Sequence, residues 1–515
     1  MLNNGLGSWI HRRVPGSGAK PALIFEGREL SYRKLDDRIT RLANALRQLG
    51  IQRGDRIAYL GDNHPAFLET LFAAGTLGCI FVPINTRLAE PEISLALIDS
   101  GSAAFFFSEA LGTISRKAAA SAGITLLIEI GSRESTPEGA VDYDKLVSAA
   151  STSFVDVEVG LDDDAMILYT SGTTGRPKGA VISHGNMTWS CLNVLAEYDL
   201  VSSDVALMIS PLFHVASLGM GTLPAFLKGA TVVLESRFDP GVALELIERY
   251  RATWISGVPT TFQMIAEHPD WSRRDISSLQ KLTCGGSPVP LRVIDAYQDR
   301  GLSFTGGYGM TEAGPGVTTL HPEWTREKIG SSGVQHFFTQ MRIVNDIGEP
   351  VGEGEMGEIQ ISGPNVIRRY WGSPNLPPES VTPDGWFRTG DIGYQDGDGF
   401  LFISDRLKDM IISGGENVYP AEVEKLIIEL PQVGSVAVIG IPDDKWGEVP
   451  VAIVIAREGA VVTAEDVQHH LAGRIARYKT PKSIIIVEEL PRTATGKIRK
   501  ADLRAQYGSL NAPTN

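Results

Sequence analysis

The sequence has few cysteines, no long apolar run and no excess of positive charge. Its three cysteines, Cys79, Cys191 and Cys284, lie far apart and match no metal-binding spacing, which favours a reducing compartment. No apolar run approaches the roughly 18 residues that a membrane-spanning helix needs. The first residues lack a basic stretch followed by an apolar one, so we expect no signal peptide and a cytoplasmic protein.

The net charge of -14 weighs against binding to nucleic acid or to anionic lipid through bulk electrostatic attraction. Any phosphate group that the protein binds must therefore be held by local backbone and side-chain groups. Hydrophobic residues make up 43% of the chain and charged residues 21%, which is typical of a globular protein. A chain of 515 residues is too long to form a single hydrophobic core of ordinary size. Its length therefore predicts two to four domains or lobes.

Strand and helix patterns alternate through the first part of the chain. A helix begins after Ser31, because Leu35, Ile39, Leu42 and Leu46 recur at helical spacing. Strand patterns alternating with helices predict an α/β fold with mainly parallel sheets covered on both faces. The other predicted elements are a helix at 66–77 and strands at 56–60, 79–84, 103–107, 166–169, 231–234 and 253–256.

The pattern changes near residue 330, where short strand-like runs alternate with glycines. We predict a small antiparallel or barrel-like subdomain at about 330–404, within an N-terminal domain that covers residues 1–404. Residues 405–515 are predicted to form a small, mobile α+β domain joined by a short hinge. Its predicted elements are helices at 419–428 and 467–476 and strands at 433–439, 451–455 and 483–487.

A cluster of hydroxyl and glycine residues follows the strand pattern at 165–169. Thr170-Ser171-Gly172-Thr173-Thr174-Gly175 supplies hydroxyl donors, and its glycines let backbone amides approach an anion. Lys178 adds a mobile cation suited to a phosphate. The segment is not a Walker loop, because Pro177 precedes the lysine. On these residues alone, a polar surface loop remains the alternative.

The string from Tyr169 to Gly179 resembles the signature loop of the adenylate-forming (ANL) superfamily. That group contains acyl- and aryl-CoA synthetases, adenylation domains of nonribosomal peptide synthetases and firefly luciferase. Four further motifs follow in the family order, and several stretches look like bacterial feruloyl-CoA synthetases and fatty acyl-CoA ligases. The resemblance implies an ATP-dependent carboxylate–CoA ligase, which forms an acyl-adenylate and then an acyl-CoA thioester, releasing pyrophosphate and AMP.

The second motif is Gly307-Tyr308-Gly309-Met310-Thr311-Glu312. Its glycines let the backbone lie against a flat ring, and Tyr308 could stack on adenine. Thr311 offers a hydroxyl to the α-phosphate, and Glu312 offers Mg²⁺ a carboxylate oxygen. The resemblance also places the Thr170 hydroxyl near that metal. A turn with a core tyrosine is the alternative on the residues alone.

The third motif ends at Asp391, and the fourth motif begins at Asp405. By the resemblance, Asp391 accepts hydrogen bonds from both ribose hydroxyls, which suits a carboxylate because it is acceptor-only with two oxygens. Arg406 would also contact the ribose, and Lys408 occupies the position at which the family hinges. On the residues alone, the alternative is that they form solvated ion pairs on the surface, as such residues commonly do.

Two late segments carry the remaining chemistry. Gly414-Gly415-Glu416 forms a turn before a helix that begins with Pro420, and the resemblance implies that it lines the pantetheine channel in the thioester step. Lys497 ends the string Pro-Arg-Thr-Ala-Thr-Gly-Lys at 491–497. A lone lysine here would be solvated, but the resemblance makes it catalytic, at the acyl carboxylate and the α-phosphate.

The complete set of expected site residues follows from these motifs. Catalysis is assigned to Lys497, Thr311 and Glu312, and Mg²⁺ binding to Thr170 and Glu312. The residues expected to bind ATP or AMP are Thr170, Ser171, Gly172, Thr173, Thr174, Gly175, Lys178, Gly286, Ser287, Gly307, Tyr308, Gly309, Met310, Thr311, Asp391, Arg406 and Lys497. The residues expected to line the acid pocket are His214, Val215, Gly285, Gly307 and Gly309.

The sequence narrows the acid without naming it. His214 lies in the string Pro-Leu-Phe-His-Val. It either gates the acid pocket or is a structural histidine whose ring nitrogens are hydrogen-bonded within the fold. The segment 253–257 has no aspartate to hold a substrate ammonium, which disfavours an amino acid. We expect a hydroxycinnamate such as ferulate, with a medium- or long-chain fatty acid as the alternative.

The expected co-substrates and cofactor are ATP, coenzyme A and Mg²⁺. The expected partners are thus small molecules, with neither nucleic acid nor an integral membrane segment, and a homodimer is left open. A carrier-protein-loading adenylation enzyme is the rival class, although we expect no carrier domain after Ser509. An inactive nucleotide-binding regulator and a luciferase-like oxidase are the other rivals.

Overall fold

The computed structural model describes residues 1–131, 139–170, 177–286, 289–406, 409–413, 416–443, 446–472, 474–475, 477–492 and 498–508. Residues 405, 406, 412, 416, 417, 447 and 478 are described by their backbone alone. The chain divides into two compact units. Unit 1 comprises Met1–Met341 and Ile361–Phe387, and unit 2 comprises Arg342–Gln360 and Arg388–Asn515.

Unit 1 contains the alternating strands and helices. Its strands are β1 (Pro21–Phe25), β2 (Arg28–Ser31), β3 (Arg56–Leu60), β4 (Ile80–Ile84), β5 (Ser102–Ser108), β6 (Leu126–Ile130), β7 (Val141–Asp142), β8 (Asp164–Thr170), β9 (Lys178–Ser183), β10 (Val205–Met208), β11 (Thr231–Leu234), β12 (Trp254–Gly257), β13 (Lys281–Cys284), β14 (Phe304–Thr305), β15 (Thr318–Thr319) and β16 (Val334–Gln335). Its helices are α1 (Trp9–Ser17), α2 (Tyr32–Gln48), α3 (Pro65–Leu77), α4 (Glu90–Ser100), α5 (Gly112–Ala122), α6 (Tyr143–Ala149), α7 (His184–Glu197), α8 (Val215–Ser217), α9 (Leu223–Lys228), α10 (Pro240–Tyr250), α11 (Pro259–Glu267) and α12 (Leu291–Gln298).

Two seven-stranded sheets dominate unit 1. Their strand orders are β14-β13-β12-β10-β11-β1-β2 and β7-β6-β5-β3-β4-β8-β9. Each sheet is parallel except at one edge, where β2 runs antiparallel to β1 and β9 runs antiparallel to β8. The prediction of an α/β fold with mainly parallel sheets is therefore confirmed.

Side chains on these strands alternate between two cores, because successive residues of a strand point to opposite faces. In β3, Ile57 belongs to a central core and Ala58 to an outer one. In β10, Ala206 belongs to the same central core and Leu207 to a second outer one. Buried side chains of α2, α3 and α7 complete the central core, so these helices lie between the sheets. Helices α4 and α5 cover one outer face, and α10, α11 and α12 cover the other.

Helix α2 shows how the local sequence sets an element. Its N-cap is Ser31, whose hydroxyl accepts a hydrogen bond from the Lys34 amide. This bond gives a partner to one of the first-turn amides that have none within the helix. The predicted apolar positions Leu35, Ile39 and Leu42 are all buried. The predicted helix is confirmed, together with its buried face.

Unit 2 and the segments that join it to unit 1 carry the remaining elements. They are β17 (Gln340–Val344), β18 (Gly357–Ser362), β19 (Phe387–Gln395), β20 (Leu401–Arg406), β21 (Ile411–Ser413), β22 (Glu416–Val418), β23 (Val433–Asp443), β24 (Gly447–Ala456), β25 (Ser483–Ile486), α13 (Pro420–Ile427), α14 (Ala464–Leu471) and α15 (Lys500–Tyr507). Strands β17–β20 form a four-stranded sheet in sequence order, and β21–β25 form a five-stranded sheet.

The late helix predicted at 467–476 was misplaced, since α14 begins at Ala464 and ends at Leu471. Thr463 caps it: its hydroxyl accepts from the Asp466 amide, and the Asp466 carboxylate accepts from the Thr463 amide. This box starts the helix three residues before Val467, its first buried residue. The predicted domain boundary near residue 405 stays a prediction, as does the hinge at Lys408, which lies outside the described residues.

Two predictions from composition can be compared with the structure. All three cysteines are buried and free of disulfide bonds. Within the described ranges, no helix combines the length and the hydropathy that crossing a bilayer requires.

Candidate active site

Several predicted site residues follow the carboxyl ends of parallel strands in unit 1. Gly285 and Gly286 come directly after β13, and the segment 306–310 comes directly after β14. In open parallel sheets, ligands bind outside these strand ends. The two segments lie side by side, because a Cβ built at Gly285 would lie 3.9 Å from the carbonyl oxygen of Gly307.

The second motif forms an irregular hairpin with the chain that follows it. The Val317 amide donates to the Tyr308 carbonyl at 2.9 Å, and the Met310 amide donates to the Pro315 carbonyl at 2.9 Å. Gly309 and Gly316 are paired residues of this hairpin. Its backbone is thus held by main-chain bonds, and it presents residues 311–313 as a short 3₁₀ turn.

Only glycine fits at two positions of this motif. A Cβ at Gly307 would lie 2.6 Å from the Thr318 carbonyl oxygen, and one at Gly309 would overlap the Pro315 carbonyl oxygen. Real Cβ atoms essentially never come so close to a backbone oxygen. The glycines therefore permit the close approach of two backbone segments, a role that the sequence alone does not reveal.

Glu312 and Lys178 are brought together through a tyrosine. Glu312 is buried, and its Oε1 accepts a hydrogen bond of 3.0 Å from the Tyr370 hydroxyl. The ring of Tyr370 lies beneath Lys178, whose Nζ is 5.4 Å from the ring centroid. Burial and the neighbouring Glu312 carboxylate raise the pKa of Tyr370. The hydroxyl is therefore protonated at neutral pH and donates to the carboxylate.

The two ends of the predicted phosphate loop are fixed by strand pairing. Thr170, at the end of β8, is the register partner of Lys178, at the start of β9. The Thr170 hydroxyl donates to the Lys178 carbonyl at 3.4 Å. The chain at Tyr370 extends the sheet beyond β9 by pairing with Ala180. This pairing places the tyrosine beside Lys178, and its hydroxyl reaches Glu312 of the second motif.

The structure also pairs the two residues predicted to contact the ribose. Asp391 on β19 is the register partner of Arg406 on β20, within unit 2. The Asp391 carboxylate is on a buried residue, and its amide donates to the Thr389 hydroxyl at 3.0 Å. The third and fourth motifs therefore converge, although they come from separate stretches of sequence.

His214 and Val215 lie at the start of a helical stretch in unit 1. His214 is the N-cap of α8, and its ring packs against the Phe213 ring at a centroid distance of 4.6 Å, with the two planes tilted by 58°. Val215 is buried in the central core. The chain beyond α8 packs on the second motif, because a Cβ at Gly219 would lie 3.0 Å from the Gly314 carbonyl oxygen. This packing connects the predicted acid-pocket segment to the predicted nucleotide segment.

Part of the predicted site falls outside the described ranges. Outside the described residues lie Ser171, Gly172, Thr173, Thr174, Gly175, Ser287, Lys408, Gly414, Gly415 and Lys497. Arg406 and Glu416 are described by their backbone alone. The roles of these residues stay predictions.

Three residues that no sequence pattern selects support the second motif. Tyr370 binds Glu312, as described above. Asn365 is buried and donates from Nδ2 to the carbonyls of Ala313, at 2.7 Å, and Gly316, at 3.0 Å. His336 is buried beside Gly316. Each contact joins residues far apart in sequence, and a single sequence carries no signal for such contacts.

The chain matches the family described as AMP-binding enzyme over residues 10–371 and the AMP-binding enzyme C-terminal domain over residues 422–497. The chain therefore belongs to the AMP-binding enzyme family. It is an acid–thiol ligase, an AMP-forming acyl-CoA synthetase, as the resemblance implied.

Individual relatives cover 93% or more of the chain. It is 50% identical over 509 residues to a feruloyl-CoA synthase of Amycolatopsis sp, covering 99% of this chain and 100% of the relative. It is 38% identical to the long-chain-fatty-acid–CoA ligase FadD13 of Mycobacterium tuberculosis (strain ATCC 25618 / H37Rv), over 93% of each chain. The solved o-succinylbenzoate CoA synthetase of Bacillus subtilis, in complex with its acyl-adenylate intermediate, is 32% identical, with a TM-score of 0.87 over 99% of each chain.

Proposed function

We propose that the acid activated by this ligase is a hydroxycinnamate such as ferulate. The observation that carries the proposal is the 50% identity to a feruloyl-CoA synthase over 99% of this chain. A fatty acid is the second candidate, favoured by the 38% identity to a long-chain-fatty-acid–CoA ligase.

In the first step, a carboxylate oxygen of the acid attacks the α-phosphorus of ATP, and pyrophosphate leaves. Both reactants are anions, so the protein must hold them in line and offset their repulsion. We assign this role to the loop 170–178, to the Thr311 hydroxyl at the α-phosphate, and to Lys497 at the reacting carboxylate. Loss of one such group typically slows the step by roughly a hundred- to a thousandfold.

Mg²⁺ fits the donor set around Glu312. The ion binds one or two carboxylates together with phosphate oxygens and water. The Tyr370 hydroxyl engages Oε1 of Glu312 and orients the buried carboxylate, so Oε2 is the oxygen that we assign to the ion. The Thr170 hydroxyl, at the adjoining strand end, is a second candidate donor. When bound, the ion would supply positive charge to the phosphate oxygens.

The nucleoside part of the substrate is assigned to other residues. Tyr308 would stack on adenine, and Asp391 with its register partner Arg406 would hold the ribose. In the second step, the thiol sulfur of coenzyme A attacks the acyl carbonyl, and AMP leaves. We assign the hinge between the steps to Lys408 and the pantetheine channel to Gly414, Gly415 and Glu416.

An assay of AMP release over a panel of acids tests the proposal. The panel contains ferulate, 4-hydroxycinnamate, cinnamate, a medium-chain and a long-chain fatty acid, each with ATP and Mg²⁺, with and without coenzyme A. We expect CoA-dependent AMP release with the highest kcat/KM for a hydroxycinnamate.

Two other outcomes would contradict the proposal. A highest kcat/KM for a fatty acid would establish the second candidate. The enzyme could also form an acyl-adenylate whose acyl group is transferred to an added carrier protein but not to free coenzyme A. That result would instead indicate a carrier-protein-loading enzyme.

A further inference from the structure

Three buried polar side chains from separate stretches of unit 1 lie beside the second motif. They are Asn193 on α7, Thr339 directly before β17, and Asn365 shortly after β18, and each is at most 1% exposed. We call these three residues the buried network. A buried polar group without a hydrogen-bond partner is destabilising, so such a network is stable only when its members are paired.

The hydrogen bonds of the buried network allow a single arrangement. The Phe338 amide donates to Oδ1 of Asn193 at 2.9 Å. Nδ2 of Asn193 donates to the Thr339 hydroxyl at 3.1 Å, and that hydroxyl donates to Oδ1 of Asn365 at 3.0 Å. Nδ2 of Asn365 donates to two backbone carbonyls of the hairpin, as described above. Because a backbone amide only donates and a carbonyl only accepts, these two ends fix the orientation of both side-chain amides and of the hydroxyl.

The chain around Asn365 is also bonded directly to the metal-binding candidate. The Ile367 amide donates to the Glu312 carbonyl at 2.9 Å. Nδ2 of Asn186 donates to the carbonyls of the residues before and after Asn365, both at 2.9 Å. The segment 364–367 is therefore held on both sides, by α7 and by the 3₁₀ turn of the second motif.

Helix α7 connects this segment to the strand that follows the phosphate loop. Asn186 and Asn193 are seven residues apart, which is two helical turns, so both side chains lie on one face. Asn186 also caps the helix: its Oδ1 accepts from the Ser183 amide at 2.9 Å, and the Ser183 hydroxyl accepts from the Asn186 amide at 3.0 Å. Ser183 is the last residue of β9, whose first residue is Lys178. One capped helix thus links the end of the phosphate loop to the turn 311–313.

The buried network differs from ordinary core packing because hydrogen bonds are directional. A fully paired polar network fixes the positions of the groups that it joins, which apolar contacts do less strictly. Here the network ends on the backbone of the turn that carries Thr311 and Glu312, the residues assigned to the α-phosphate and to Mg²⁺.

We propose that the buried network is a positioning device for adenylate formation, which holds the turn 311–313 so that the Thr311 hydroxyl and the Glu312 carboxylate face ATP and Mg²⁺. We assign no substrate contact to its members, which act through the turn and are positioning residues. The inference rests on the roles given to Thr311 and Glu312 under the proposed function. It does not depend on which acid the enzyme activates.

The test removes one hydroxyl from the middle of the buried network. Thr339→Val keeps the volume of the side chain and deprives Asn193 Nδ2 and Asn365 Oδ1 of their shared partner. The first measurement is the rate of pyrophosphate release divided by the rate of thioester formation from supplied acyl-AMP, with the best acid of the panel. Both rates come from one preparation, so their ratio is independent of the folded fraction. The second is the affinity for α,β-methylene-ATP, with and without Mg²⁺, by calorimetry.

We expect the rate ratio of Thr339→Val to fall by roughly tenfold, because the turn shifts when two buried groups lose their partner. The gain in affinity for α,β-methylene-ATP that Mg²⁺ produces should fall as well, since Glu312 no longer faces the ion. Thr339→Ser keeps the hydroxyl and should retain the wild-type values of both. Asn193→Ala is a milder change, which keeps the bond between Thr339 and Asn365, and it should shift both values in the direction of Thr339→Val.

Thr70→Val is the matched control for the loss of a buried threonine hydroxyl. Thr70 lies on α3 and is fully buried, and its hydroxyl donates to the Ala66 carbonyl at 2.6 Å. We expect this variant to lower the free energy of unfolding in urea and to leave the rate ratio and the Mg²⁺-dependent gain in affinity unchanged.

The outcomes separate the buried network from the proposed function. If folded Thr339→Val or Asn193→Ala keeps the wild-type values of both measurements, the positioning role is wrong and the acid assignment is untouched. Equal shifts in Thr70→Val, or no recovery in Thr339→Ser, would also overturn that role. Glu312→Gln is the reference for loss of the metal ligand: if it keeps the wild-type gain in affinity with Mg²⁺, the metal assignment is wrong and the positioning role is wrong with it.

Discussion

The hydrogen bond from Tyr370 to Glu312 gives the sharpest test of the candidate active site. Tyr370→Phe removes the hydroxyl and keeps the ring beneath Lys178, so it isolates one bond. A hydrogen bond to a charged group contributes about 1.5–3 kcal/mol. Tyr370 is only half-buried, so we take the lower end, which corresponds to roughly a tenfold effect. Without the bond, the Glu312 carboxylate is free to turn away from the position that we propose for Mg²⁺.

The expected result is a roughly tenfold lower rate of adenylate formation together with a higher Mg²⁺ concentration for half-maximal activity. Pyrophosphate release, measured at saturating acid over a Mg²⁺ titration, gives both quantities. Tyr143→Phe is the matched control, because the Tyr143 hydroxyl also donates to a buried carboxylate, that of Glu69, in unit 1. It should lower the free energy of unfolding and leave the Mg²⁺ dependence unchanged.

One result would refute the reasoning about Tyr370. If folded Tyr370→Phe shows the wild-type rate and the wild-type Mg²⁺ dependence, the bond does not position Glu312 for the metal. If both tyrosine variants shift the Mg²⁺ dependence equally, the effect comes from the stability of unit 1 and not from the site.

Two further predictions concern catalysis and pH. Lys497→Ala should abolish adenylate formation and spare thioester formation from supplied acyl-AMP, and an equal loss in both half-reactions would contradict the assignment. Burial raises the pKa of Glu235 from 4.5 to about 7, so the folded protein retains a proton that the unfolded chain releases. This contribution to stability is complete below about pH 4.5 and is lost as the pH rises through about 7. In urea unfolding, Glu235→Gln should therefore gain stability relative to wild type between pH 5 and pH 7, whereas a difference independent of pH would show that Glu235 does not titrate there.

The sequence predicted the framework because the relevant signals are local. Strand β3 follows from its apolar run between polar ends, and α2 follows from its cap and its helical spacing. The motif residues fall where their order predicts, with Thr170 at the end of β8 and the second motif directly after β14. The local sequence decides where each strand ends. The carboxyl ends of parallel strands lie at the same edge of the sheet, so the segments that follow them lie at that edge.

The sequence could not predict the contacts that complete the site. Tyr370 and Glu312 are 58 residues apart, and neither position shows a pattern that selects the other. His336 is buried beside Gly316, which lies on a separate stretch of the chain. The start of α14 was missed because apolar spacing outweighed the cap at Thr463. Tertiary packing decides the contact and the burial, and capping decides where the helix starts. The periodicity of apolar residues predicts none of the three.

The glycine hairpin also indicates how this scaffold can change its acid over evolution. Backbone oxygens crowd Gly307 and Gly309, so replacement of either would disturb the segment that also carries Tyr308 and Glu312. At Gly316 the nearest atoms belong to side chains, those of His336 and Met220, which can be exchanged together. We therefore expect divergence in acid preference to arise on the Gly316 side of the hairpin, while the nucleotide chemistry on the neighbouring strand is inherited unchanged.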